Sequence, residues 1–97
     1  MAFLWWHNQV REISEALSGV GELKVVIRGT LEQHGFSNVR SNDQEVAGGK
    51  GSSWVSIAHF PIGNGRYWEV VMTAGDDGSA QAVNDEVVAA LNNLHFL

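Results

Sequence analysis

The first third of the chain has the apolar spacing of helices. Steps of three and four residues join Phe3, Trp6, Val10, Ile13, Leu17 and Val20, and the stripe resumes at Leu23, Ile27, Leu31 and His34. Such steps place one apolar side of a helix toward a core. The pattern therefore predicts two helices, near residues 4–18 and 21–34.

The segment Ser18-Gly19-Val20-Gly21 separates these two helices. Each glycine inside a helix costs about 1 kcal/mol relative to alanine. A continuous helix over residues 3–34 would be about 45 Å long, which exceeds the width of a domain whose radius of gyration is about 13 Å. The continuous helix stays open as an alternative in which an N-terminal arm, residues 1–20, takes part in association.

Strand patterns dominate the second half of the chain. Gly35 can adopt the left-handed conformation that ends a helix, and Phe36 can then fold back on the last turn. The polar segment Val39–Val46 indicates a weak edge strand, and Trp54–Phe60 and Tyr67–Thr73 indicate two clear strands. Between the weak strand and the clear ones, the segment from Gly48 to Ser53 is expected to be a flexible connection.

A final helix completes the predicted fold. It carries one apolar side, formed by Ala80, Val83, Val87, Leu91 and Leu94. The sequence thus predicts one α+β domain over residues 1–97, in the order α-α-β-β-β-α. We expect a three-stranded, mainly antiparallel sheet in a two-layer arrangement, with the helices packed on one face.

The hairpin between the two clear strands decides which residues share a face. The Gly63-Asn64-Gly65 sequence favours a tight turn. A loop of two or four residues puts Val55, Ile57 and His59 on the helix-packed face together with Trp68, Val70 and Met72. The other face then carries the candidate binding residues Trp54, Phe60, Tyr67, Glu69 and Val71, an assignment that a bulge or an odd loop would change.

This aromatic face predicts a non-enzymatic association domain. Exposed aromatic residues on one face are typical of interfaces, so we expect a homodimer or a protein partner, with Trp54, Phe60 and Tyr67 as anchors. In an alternative, the same face walls a small-ligand pocket or a small active site, with Glu69 as its polar group and His59 as a weaker candidate. Two further alternatives are that a helix covers the face, or that the Phe3–Trp6 arm docks in a larger assembly.

The composition narrows the functional classes. The chain has 97 residues, no cysteine and a formal charge of −5, and seven of its eleven acidic residues lie after position 40. An acidic balance argues against nucleic acid as a partner, and the lack of cysteine excludes disulfides and thiolate metal sites. No apolar run suggests a membrane span or a signal peptide, so we expect a soluble and, by default, cytoplasmic protein.

Motifs for cofactors and metals are weak. The four histidines lack metal-ligand spacing, and Lys50 is followed by Gly51 where a phosphate loop needs serine or threonine. The Asp76-Asp77-Gly78-Ser79 segment lacks the alternating ligands of a calcium loop and fits a turn and helix cap better. The sequence therefore predicts no cofactor, no metal site and no catalytic residue.

Overall fold

The computed structural model describes residues 5–14, 20–43, 45–76 and 79–93. Within these residues, five strands and two helices follow one another in the order β-α-β-β-β-β-α. The elements are β1 (Trp5–Ser14), α1 (Val20–Gln33), β2 (Ser37–Ser41), β3 (Glu45–Lys50), β4 (Ser53–Gly63), β5 (Arg66–Gly75) and α2 (Ser79–Asn92).

The five strands form one antiparallel sheet in the order β1-β5-β4-β3-β2. Helix α1 packs on β2 and β3, and helix α2 packs on β5, β1 and β4. The helices and the sheet share one apolar core, because β-branched residues of the central strands meet the apolar stripes of both helices. The core residues are Leu23, Ile27, Leu31, Phe36, Val46, Val55, Ile57, Val71, Val83, Val87 and Leu91.

The predicted order α-α-β-β-β-α and the three-stranded sheet are wrong. The segment predicted as a helix near residues 4–18 contains strand β1, which pairs with β5 over ten residues from Trp5 to Ser14. Tryptophan, valine and isoleucine favour strands as well as apolar helix stripes. Pairing with β5, which lies more than fifty positions later, decides the outcome. Residues 1–4 and 15–19 lie outside the described residues.

The predicted edge strand is present as β2 but not with the predicted bounds Val39–Val46, and the predicted flexible connection is wrong. The segment Val39–Val46 spans the end of β2, a turn and the start of β3, in which the Asn42 side chain accepts a hydrogen bond from the Glu45 N–H at 2.9 Å. Gly48 and Gly49, which we expected in a connection, belong to β3, and Gly51 lies in the turn that follows it. A Cβ at Gly48 would lie 3.1 Å from Val39 Cγ2, so this glycine permits close packing over the strand.

Three local predictions are confirmed. Gly35 has φ +84°, and the Phe36 N–H donates to Leu31 O at 3.1 Å, which closes α1 with a Schellman motif. Asn64 and Gly65 both have positive φ and form the turn between β4 and β5. In α2 the predicted apolar positions are buried at Ala80, Val83, Val87 and Leu91, and Leu94 lies outside the described residues.

Candidate functional site

An extra residue in the β4–β5 hairpin determines the two faces of the sheet. Pro61 lies opposite Tyr67, but Gly63 lies opposite Arg66, so Ile62 is inserted as a bulge. One additional residue shifts the alternation of side chains by one position. The predicted partition of the hairpin is therefore wrong. The covered face, which the helices pack on, pairs Val55, Ile57 and His59 with Thr73, Val71 and Glu69.

The predicted site residues are divided between these faces. Trp54 and Phe60 lie on the open face, which is the side of the sheet away from the helices. Tyr67, Glu69 and Val71 lie on the covered face, and Glu69 and Val71 are buried there. Trp54 and Glu69 cannot line one pocket wall, so the ligand-binding alternative loses the pairing on which it depended.

The open face carries an apolar patch across its three long strands. Phe60 of β4 lies directly opposite Trp68 of β5, and Val70 of β5 lies opposite Val10 of β1. Val10, Phe60 and Trp68 are 52%, 51% and 51% exposed. We define the apolar patch as Val10, Phe60, Trp68, Val70 and Met72. Large apolar side chains grouped in this way on a sheet face are typical of contact surfaces.

Charged side chains surround the apolar patch. Arg66 Nη1 lies 2.7 Å from Glu12 Oε1 at one end of the sheet, and both side chains are about half exposed. Toward the other edge, the Ser56 hydroxyl donates to the Glu45 carboxylate. The open face therefore has an apolar middle with acidic and basic groups around it, the arrangement of many protein interfaces.

The Trp54 side chain already makes contacts within the chain. The Arg40 guanidinium lies 5.1 Å from the centre of its ring, and a Cβ at Gly49 would lie 3.1 Å from the ring. Trp54 thus contacts both a cation and a bare backbone and is only partly exposed. The sequence prediction does not place Val10, Trp68, Val70 or Met72 on the open face. Pro61 was the available signal, because a proline inside a strand is typical of an edge or a bulge.

A polar pair is buried on the covered face. His59 Nε2 lies 3.1 Å from Glu69 Oε2, and both side chains are 1% exposed. The other ring nitrogen, His59 Nδ1, has no hydrogen-bond partner among the described residues. A histidine beside a carboxylate is a common acid–base arrangement, but this pair is closed off from solvent. Its effect is on the stability of the fold.

A second polar cluster joins three elements at the margin of the covered face. Lys50 Nζ donates to the two Glu86 carboxylate oxygens at 2.9 and 2.8 Å and to His34 O at 2.7 Å. His34 Nδ1 lies 3.0 Å from the same carboxylate. The hydrogen bond from Lys50 is the main cause that lowers the pKa of Glu86 below its usual range. These contacts link the C-terminal end of α1, strand β3 and helix α2.

The described part of the chain shows neither a metal-binding cluster nor a membrane-spanning helix. It contains no group of three or more histidine, aspartate or glutamate side chains placed to hold a metal ion. Among the helices described, none has the length and apolar character needed to cross a membrane.

No protein-family model matches this chain, and no curated protein matches it. The apolar patch is thus the feature of this small α+β domain that most suggests a function.

Proposed function

We propose that this protein is an association domain whose open face docks against the open face of a second copy. The observation that carries this proposal is the half-exposed cluster of Phe60, Trp68 and Val10 on a sheet face that no described element covers. Each large aromatic side chain buries roughly 150–250 Å² when it is fully enclosed. Removing the exposed half of two such side chains from water favours contact with another apolar surface.

The size of the face fits a two-fold contact. At about 3.3 Å per residue and about 4.8 Å between strands, the five strands present roughly 650 Å². A standard interface buries roughly 800 Å² on each partner. Contact over the whole face, together with the side chains around it, therefore supplies the area that a stable dimer needs.

The charges around the patch favour a second copy over a strongly charged partner. Glu12 and Arg66 lie at one end of the open face, and Arg40 and Glu45 lie toward the β2 edge. Because each copy presents both signs, a two-fold contact can place unlike charges opposite one another. A surface of one sign would repel its own copy.

The proposal is tested by replacing one aromatic residue of the patch. Trp68→Ser removes a central apolar side chain, and tryptophan at such a position commonly contributes about 2 kcal/mol or more to binding. Because both copies carry the change, we expect the dissociation constant of the face-to-face contact, measured by sedimentation over a concentration series, to rise roughly 900-fold. Circular dichroism of each variant shows whether it is folded.

Val25→Ser is the matched control. Val25 is 70% exposed on α1, the most exposed of the large apolar side chains described, but it lies in the other layer of the molecule. We expect its replacement to leave the dissociation constant unchanged. A protein that is monomeric at every concentration contradicts the proposal, and so does a loss of association that is equal in the two variants.

A further inference from the structure

The outer edge of strand β1 has few of the features that protect a sheet edge: it carries the charged residues Arg11 and Glu12, but it is long, regular and free of proline. β1 lies at the end of the strand order, and no described strand pairs with its outer side. It has ten residues, its pairing with β5 has no register shift, and it contains no proline. Natural edge strands are usually short, bulged, charged or interrupted by proline, because a long regular edge pairs with other strands.

The opposite edge of the same sheet has these protective features. Strand β2 has five residues, and its pairing with β3 shifts between Ser37 and Arg40. Asn38 adopts a positive φ of 54° inside this strand. A short and bent strand presents few backbone groups in line, so the two edges of the sheet differ in their capacity to accept another strand.

We propose that β1 pairs edge to edge with β1 of a second copy, antiparallel and centred on Val10. A two-fold axis perpendicular to the sheet keeps the helices of both copies on the same side. The two five-stranded sheets then form one ten-stranded sheet, and each outer backbone group of β1 gains a hydrogen-bond partner by strand addition.

The exposed open-face residues of β1 select this register. With Val10 opposite its own copy, Asn8 lies opposite Glu12, so an apolar residue meets an apolar one and an amide can donate to a carboxylate. A shift by two residues in either direction places Val10 opposite Asn8 or Glu12. A shift by four residues can bring the two Glu12 carboxylates together. Of these registers, the one centred on Val10 pairs an apolar residue with an apolar one and an amide with a carboxylate.

Edge pairing is distinct from the face contact proposed above and does not depend on it. The axis of the edge contact is perpendicular to the sheet, whereas the axis of a face-to-face contact lies parallel to it. Two perpendicular two-fold contacts can close an assembly of four chains. We therefore expect the full chain to form tetramers, and a variant that loses one contact to remain a dimer through the other.

A single cysteine at position 10 tests the register in a chain that contains no other cysteine. Directly opposite residues of an antiparallel pair have Cα atoms about 4.5–5.5 Å apart, within the range that a disulfide spans. We expect Val10→Cys to give a disulfide-linked dimer on mild oxidation. Asn8→Cys alone should not, because the two cysteines would lie about 13 Å apart. Asn8→Cys mixed with Glu12→Cys should again be linked.

The double variant Val10→Cys with Trp68→Ser separates this proposal from the face contact. We expect its disulfide to form as fast as in Val10→Cys alone, since Trp68 does not lie on the edge. Linking that disappears with Trp68→Ser would assign the contact to the open face and overturn the edge proposal. Equal linking of the Val10→Cys and Asn8→Cys variants, or linking of neither, would overturn it as well.

Discussion

The two faces of the sheet carry different kinds of side chains, although these side chains alternate along the same strands. The covered face presents aliphatic residues such as Val55, Ile57 and Val71, which are at most 2% exposed. The open face presents Phe60 and Trp68, which remain half exposed in the single chain. Aliphatic β-branched residues fill the layer between sheet and helices, and the large flat side chains lie where an additional surface can meet them.

The polar groups of the two faces differ in the same way. On the covered face His59 and Glu69 pair at 1% exposure, and Thr73 donates to Asn84 in the core. On the open face the Glu12–Arg66 pair is about half exposed. Buried polar groups need their partners, whereas exposed ion pairs are screened by water. The covered face therefore sets the stability of this fold, and the exposed polar groups of the open face contribute little to it.

The largest expected effect comes from the buried pair. Glu69→Ala leaves His59 without its carboxylate in the core, and breaking a buried pair in this way commonly costs about 3–5 kcal/mol. We expect urea unfolding to show a loss of this size. A double-mutant cycle with His59→Ala should give a large coupling energy, because each single variant removes one partner of the other buried group.

The matched cycle uses Glu12→Ala and Arg66→Ala on the open face. That pair has a shorter distance, 2.7 Å, but is exposed, so we expect a coupling of about 0–1 kcal/mol. If the two cycles gave equal coupling energies, the difference that we draw between the faces would be wrong.

The next effect compares two isoleucines of one strand. Ile57 is fully buried on the covered face, and Ile62 is 39% exposed at the hairpin bulge. Ile57→Ala should lower the free energy of unfolding by about 2–5 kcal/mol, because it leaves a cavity. Ile62→Ala should change it by less than about 1 kcal/mol, since partly exposed side chains outside the core contribute little. Both values follow from denaturant unfolding, and similar losses would contradict the assignment of the bulge.

Local chemistry made parts of this fold predictable from sequence. Gly35 and Phe36 end α1 as expected, since the left-handed glycine and the returning phenylalanine act within one turn. Asn64 and Gly65 form the expected hairpin turn for the same reason. In each case the residues that determine the conformation lie next to the residues that adopt it.

Long-range pairing made β1 unpredictable from sequence alone. The residues of β1 contain helix-like apolar steps at Trp6, Val10 and Ile13, and nothing nearby contradicts a helix. The strand forms because β5 offers ten residues in register. Local periodicity cannot report a partner so far along the chain, so the N-terminal segment was assigned to the wrong element.

The predicted grouping of the site residues on one face is wrong because of one inserted residue. Ile62 is inserted between Pro61 and Gly63. Because of this insertion, Trp68 and not Tyr67 lies on the open face, and Glu69 lies in the core. The predicted turn is correct, and the bulge that precedes it on β4 reverses every face assignment on β5. The expectation of an aromatic face therefore keeps Trp54 and Phe60, and its third aromatic residue is Trp68.

The smallest expected effect concerns the polar cluster at the margin of the covered face. The hydrogen bond from Lys50 lowers the pKa of Glu86 in the folded chain below the value of 4.5 that applies without partners. A lowered pKa means that the folded state favours the charged carboxylate, so its contribution to stability is present above about pH 4.5 and is lost as the pH falls through the folded value. Glu86→Gln should flatten the dependence of unfolding free energy on pH below about pH 4.5.

Asp85→Asn is the control for this last prediction, because Asp85 is an exposed acid one position earlier on the same helix. Glu86 is only partly buried, so the difference between the two variants is expected to be modest and greatest at low salt, where partly exposed charges are least screened. The measurement is urea unfolding at a series of pH values for both variants and the parent chain. Parallel curves for Glu86→Gln and Asp85→Asn would mean that the Lys50 contact does not stabilise the helix layer, and the margin of the covered face would then resemble the open one.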